Sequence, residues 1–317
     1  MATNQDGPQL NHYNSNPGLL RISASTNRSS SFEKKVPRQR HGELILPIFH
    51  LRDLEKGVQF VNRLSEIRSM VLTDSPLSGQ NVAMEFGGLI HQLDVLSQSV
   101  SKVIMIFEED IILDREWTNH PKHQFKLTLD LFVVVEGRER MLTGFKRFLA
   151  FRIESGFIEI RRLSIVNCGH LKAREGGAVR VAGDSHVFLK KITCVGCKAK
   201  CGPIWIAPEG HLKIKSSIFL SCSSLEHGGA VYNQGYTQLQ GCTFSKTITN
   251  GCGGAVYNAA GGSCQVASCE FRNCVASKSG GAFFNSNGAL VLLEDNNYEA
   301  NRTATKSGKA ASFEQGV

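Results

Sequence analysis

A chain of 317 residues with 41% hydrophobic content is long enough to bury a substantial core, and its net charge of +8 with a pI of about 9.0 favours anionic partners. Ten cysteines are too few for a disulfide-dense scaffold and too regularly placed to be incidental. The sequence has no run of about 18 apolar residues to cross a membrane as a helix, and residues 1–42 lack the apolar core of about 7–15 residues of a secretory signal, which argues for a cytoplasmic compartment.

Residues 1–41 are rich in Asn, Ser, Gln and Arg, contain Pro8, Pro17 and Pro37, and carry six Lys/Arg against two Asp/Glu. Such a composition cannot bury enough apolar surface to fold alone. The segment reads as a disordered basic tail, with nucleic-acid contact as one use of its charge. Residues 42–101 read as an N-terminal cap. It holds an apolar strand over Leu44–Phe49, an amphipathic helix in which Leu51, Leu54, Val58, Val61 and Leu64 recur at steps of three and four, and a second helix around Leu89–Leu96. A cap of this kind covers the open edge of a strand stack.

Strand patterns follow at Val103–Phe107, Ile111–Leu113 and Phe125–Val135, and the run Phe148–Ile153, Phe157–Ile160, Leu163–Ile165 reads as one three-strand coil with short corners. From about residue 150 the chain repeats itself. GGAVYN at Gly228–Asn233 returns at Gly253–Asn258 and, as GGAFFN, at Gly280–Asn285, with spacings of 25 and 27 residues. A second phrase keeps the same drifting period at Phe219–Cys222, Phe244–Thr247, Phe271–Cys274 and Tyr298–Asn301. Degenerate copies at Ile165–Cys168, Gly176–Val179, Cys194–Cys197, Gly202–Ile204 and Gly308–Ala310 extend the series to at least six units. The units alternate in short bursts such as Leu212–Ser216 and carry no helical stripe. Short strands at this period stack as the coils of a parallel β-helix, an all-β solenoid over residues 102–317. No closing helix follows Gly308, so the last coil is expected to be uncapped and available for oligomerisation.

The GGAVYN phrase with its F-x-x-C companion resembles the right-handed parallel β-helix repeats of pectin-lyase-like proteins, and especially those of chlamydial polymorphic outer membrane proteins and autotransporter passengers. The resemblance covers roughly half of the chain. It implies a right-handed solenoid, a place at the cell surface or outside the cell, and adhesin-like binding. The same architecture hosts lyases and hydrolases of acidic polysaccharides, so the fold alone does not choose among them.

Aligning the coils places Arg161, Lys190 and Lys215 at one outward strand position, with Arg162 and Lys191 in the next column. Stacked at roughly 4.8 Å per coil, these five cations form a positive strip suited to an anionic polymer. The bland reading is an ordinary solvated face. Asn233, Asn258 and Asn285 form the most regular polar column and read as a structural ladder. Cys197, Cys222 and Cys274 share another column with Cys168, while Cys242 and Cys269 share a third, each two residues before a Phe. They read as small apolar plugs, with Cys197–Cys222 or Cys242–Cys269 bridges as the alternative under oxidising conditions.

An acid/base or Ca²⁺-dependent enzyme needs clustered carboxylates, yet from residue 150 onward the only aspartates are Asp184 and Asp295, many coils apart. The trio Cys194, Cys197 and Cys201 lacks the second paired half of a zinc motif, so no metal or cofactor is expected. The resulting expectation is a non-enzymatic binding protein that presents a basic face to an anionic polysaccharide or a partner protein. The alternatives are a polysaccharide lyase or hydrolase, and a virus-encoded or intracellular protein associated with nucleic acid.

Overall fold

The computed structural model describes residues 43–48, 102–107, 110–113, 125–126, 131–172, 176–303 and 311–313, with backbone alone for 43–48, 125–126 and Phe313. The tail over residues 1–41 and the helices expected at Leu51–Leu64 and Leu89–Leu96 lie outside these residues. Among the described residues there is no helix. Every strand pairing among them is parallel and joins one coil to the next, so the chain is a parallel β-solenoid.

Four ladders run along the solenoid. The first contains Val179–Val181, Ile204–Ile206, Val231–Asn233, Val256–Asn258, Phe283–Asn285 and Ala311–Phe313. The second contains Ser185–Lys190, His211–Lys215, Tyr236–Gln240, Ser263–Ala267 and Leu290–Glu294. The third contains Thr193–Val195, Ile218–Leu220, Thr243–Ser245, Glu270–Arg272 and Asn297–Glu299. The fourth is made of two-residue strands: Lys198–Ala199, Ser223–Ser224, Ile248–Thr249, Val275–Ala276 and Arg302–Thr303.

The coil read from Phe148 to Ile165 is one long strand, Phe151–Val166, that serves three ladders in turn by pairing with Val179–Val181, Ser185–Lys190 and Thr193–Val195. Before it, Glu43–Ile48, Lys102–Phe107 and Phe132–Thr143 stack on one another in parallel, in line with the second ladder.

The repeated phrase is legible atom by atom. Gly228, Gly253 and Gly280 have φ of 63, 71 and 62°, a left-handed conformation that a side chain disfavours. The glycine after each is small for a different reason: a Cβ on Gly229 would run into the carbonyl oxygen of Gly254, and one on Gly254 into that of Gly281. Ala230, Ala255 and Ala282, then Val231, Val256 and Phe283, fill the interior, while Tyr232 and Tyr257 turn outward and stack at 5.3 Å.

The interior is a set of side-chain columns. Phe219, Phe244, Phe271 and Tyr298 stack at 4.8, 5.0 and 5.0 Å, with interplanar angles of 6–7°. Each buried phenyl contributes about 1.5–3 kcal/mol by leaving water, and each stacked pair adds about 0.5–1.5 kcal/mol. The corners are columns too. Arg162, Lys191, Ser216, Gly241, Ser268 and Asp295 all have φ of 48–58° where the second ladder meets the third. Asn167, Gly196, Ser221, Lys246, Asn273 and Ala300, with φ of 50–62°, do the same before the fourth.

Candidate functional site

On the second ladder the side chains alternate strictly: Val187, Leu189, Leu212 and Ile214 are buried, and His186, Phe188, Lys190, His211, Lys213 and Lys215 point outward. Arg161 pairs in register with Lys190, and Lys190 with Lys215, so these three stand in one column. Arg162 and Lys191 occupy the adjacent left-handed corner.

The two arginines differ from the lysines in their surroundings. Glu136, one coil earlier and in register with Arg161, is 4% exposed. Its carboxylate accepts from Arg161 Nε at 2.7 Å, from Arg162 Nε at 3.0 Å and from the Arg138 N–H at 3.0 Å. Burial pushes the Glu136 carboxyl up, but the hydrogen bonds from Arg162, Arg138 and Arg161 outweigh it and hold it below its ordinary range. Arg161 also lies 3.7 Å from Glu159.

Lys190, Lys191 and Lys215 reach no carboxylate among the described residues, and neither does Lys213, an exposed neighbour that the sequence reading did not include. The cationic centre of the face therefore lies in the coils of Lys190 and Lys215. Farther along, the column continues as Gln240, Ala267 and Glu294, so the positive strip ends there.

Four residues before the lysine column runs a column of rings. Phe157 and His186 stack at 4.7 Å, His186 and His211 at 4.6 Å with 11° between planes, and His211 lies 5.8 Å from Tyr236. His186 Nε2 is 3.6 Å from Asp184. Burial and the neighbouring His211 lower the His186 pKa, and Asp184 acts the other way. Phe157, His186 and His211 stack face to face along the axis, while the planes of His211 and Tyr236 are tilted by 42°.

The polar ladders point inward. Asn233 Nδ2 donates to Asn258 Oδ1 at 2.7 Å and to the Ser263 carbonyl at 3.0 Å; Asn258 Nδ2 donates to Asn285 Oδ1 at 2.7 Å and to the Leu290 carbonyl at 2.8 Å. Thr237 Oγ1 donates to Asn233 Oδ1 at 2.8 Å. Amides stacked this way satisfy buried carbonyls between coils.

None of the ten cysteines forms a disulfide, and eight of them are buried. Cys197 donates to the Ile165 carbonyl at 3.4 Å, Cys222 to that of Cys194 at 3.6 Å and Cys274 to that of Phe244 at 3.5 Å, each across to the preceding coil. Contact with Cys197, together with burial, holds the thiols of Cys168, Cys194 and Cys222 well above their ordinary range, and Cys197, on which all three converge, shifts the other way. Among the described residues no group of three or more His, Cys, Asp or Glu is placed to hold a metal ion.

No protein-family model, no curated protein and no solved structure matches the chain.

Proposed function

We propose that the solenoid is a rigid, non-enzymatic scaffold whose second ladder binds an acidic polysaccharide laid along its axis. The observation that carries this reading is the register of Lys190 with Lys215, flanked by Lys191 and Lys213, none of them paired with a carboxylate among the described residues. Cations on a stacked sheet repeat at roughly 4.8 Å on a backbone that needs no ordering to bind, so a polymer of regularly spaced charges meets several at once.

The finer assignment, a right-handed solenoid of the pectin-lyase-like or polymorphic outer membrane protein kind, rests on the GGAVYN and F-x-x-C phrases and on the right-handed rule for parallel crossovers.

The test is titration of wild type and of the Lys190→Gln, Lys213→Gln, Lys215→Gln triple variant against polygalacturonate, heparin and single-stranded DNA at two salt concentrations. Exposed pairs contribute about 0.2–1 kcal/mol each, so the variant should lose roughly tenfold in affinity for the polysaccharides with an unchanged melting temperature. Binding by the wild type should weaken with salt, since exposed charges are screened within about 10 Å at roughly 0.1 M. Equal binding by both proteins overturns the reading. Preference for DNA moves the protein to the nucleic-acid class, and cleavage of polygalacturonate moves it to the enzymes.

A further inference from the structure

The ring column beside the lysines contains the only stacked histidine pair among the described residues, and its position bears on how the same face is regulated. We propose that His186 and His211 form a proton-dependent part of the ligand surface, binding the sulfates or carboxylates of the polymer as imidazolium donors, so that binding is coupled to proton uptake. The inference rests on the polysaccharide reading above and adds to it a second column and a condition.

The geometry supports it in three ways. The two rings are 4.6 Å apart and nearly parallel, on adjacent coils in the same register that pairs Lys190 with Lys215. His211 is exposed and His186 half-buried, both on the outward side of strands whose alternate residues fill the core. The surrounding charges have mixed sign, and the carboxylate that reaches the pair among the described residues is the exposed Asp184. On the preceding coil the ring neighbour is Phe157, and Glu159 is 3.7 Å from Arg161. On the pair's own coils stand Asp184, 3.6 Å from His186 and itself exposed, Glu209 before His211, and Lys190, Lys213 and Lys215 beyond the rings. On the following coil the neighbours are Tyr236, Gln238 and Gln240.

Two imidazolium ions at this separation repel each other, which opposes double protonation of the free protein. A polyanion crossing both coils supplies the missing counter-charges and raises the pKa of each imidazole in the complex. The sign follows: a group whose pKa rises on binding strengthens the complex below its free value, and the gain is lost as pH rises through the bound value. Histidine places this window in the mildly acidic range. The low His186 pKa of the free protein, set by burial and by His211, is the state from which binding starts.

The experiment measures heparin affinity of the wild type and of His186→Gln/His211→Gln at about pH 5.5 and about pH 7.5, a range in which imidazole titrates and sulfate stays ionised. Because one unit of pKa shift is a factor of ten, the wild type should bind about tenfold more tightly at the acidic value than at the neutral one, and the double variant should show little of that change. Calorimetry in two buffers of different ionisation enthalpy should detect net proton uptake by the wild type. The exposed single variant His211→Gln, which leaves the half-buried ring in place, should lose part of the pH effect and guards against misfolding of the double variant. Binding with the same pH ratio in wild type and variants, or with no proton uptake, overturns this inference and leaves the lysine strip standing. Absence of heparin binding at both pH values overturns both.

Discussion

The carboxylate of Glu136 lies 2.7 Å from Arg161 Nε across the step between two coils, and the same carboxylate also holds Arg162. One buried anion therefore engages two of the five cations that the sequence assigns to the basic strip. Replacing it by Gln removes the charge and keeps the shape. Glu136→Gln should cost about 1 kcal/mol of stability in a denaturant titration, a modest figure because the arginines are half-exposed and screened. It should also raise heparin affinity, since both guanidinium groups become available to the ligand. A loss of affinity in a folded variant would show that the clamp orients the strip and does not compete with it.

The same group makes a pH prediction. Its folded-state pKa lies below the ordinary value, so its contribution to stability is present above the unfolded-state pKa and is lost as pH falls through the folded one. Wild-type stability should therefore drop on acidification below about pH 4.5 more steeply than that of Glu136→Gln. Parallel curves for the two proteins in that window would remove the carboxylate from the account.

Asn258 is the centre of the amide ladder, accepting from Asn233 and donating to Asn285 and to the Leu290 carbonyl. Asn258→Ala takes the amide donor from the Asn285 side-chain oxygen and the Leu290 carbonyl, while Asn233 Nδ2 keeps the Gly235 and Ser263 carbonyls. The expected loss is about 2–3 kcal/mol, read as a fall in urea midpoint without a change in slope. A change of slope would indicate that the solenoid no longer unfolds as one unit.

The thiols make a counting prediction. Eight cysteines are buried in the core columns, while Cys201 and Cys252 are partly exposed at the corner before the first ladder. A native-state thiol assay should therefore show no more than two fast-reacting groups, and all ten only after denaturation. Cys222→Ala should cost on the order of 1 kcal/mol through a small cavity, equally with and without reductant. A cost confined to oxidising conditions would identify a bridge instead.

What the sequence made legible follows from what repeats. The interior columns recur with little change in chemistry, so the period and the inward positions could be read from GGAVYN and from the Phe219, Phe244, Phe271 series. Offsets also aligned Arg161, Lys190 and Lys215. The fourth ladder escaped because two-residue strands such as Ser223–Ser224 leave no alternation to detect. Glu136 escaped because the register slips between Glu136 and Arg140, where Arg138 and Glu139 take positive φ, so no offset taken from later coils reaches it. The ring column escaped because Phe157, His186, His211 and Tyr236 are chemically unlike and become a series only when their register is known.

The end of the phenyl column gives the last prediction. Tyr298 continues the Phe219, Phe244, Phe271 stack, 5.0 Å from Phe271, but its hydroxyl is buried and reaches no hydrogen-bond partner among the described residues. Burial pushes its pKa up to about 12, which fits a phenol held away from water. A buried hydroxyl without a partner carries its desolvation cost uncompensated, on the order of 1–3 kcal/mol, whereas the ring itself gains from stacking like its neighbours. Tyr298→Phe restores the residue type of the three preceding coils and removes only the oxygen. The variant should match or exceed wild-type stability by about 1 kcal/mol, a shift read as a higher denaturant midpoint at unchanged slope. Tyr298→Ala should instead lose about 3–5 kcal/mol, because the cavity opens beneath Phe271 and removes one stacked pair. A Phe variant clearly less stable than wild type would mean that the hydroxyl is bonded in solution, and that this corner of the core is wetter than its packing implies.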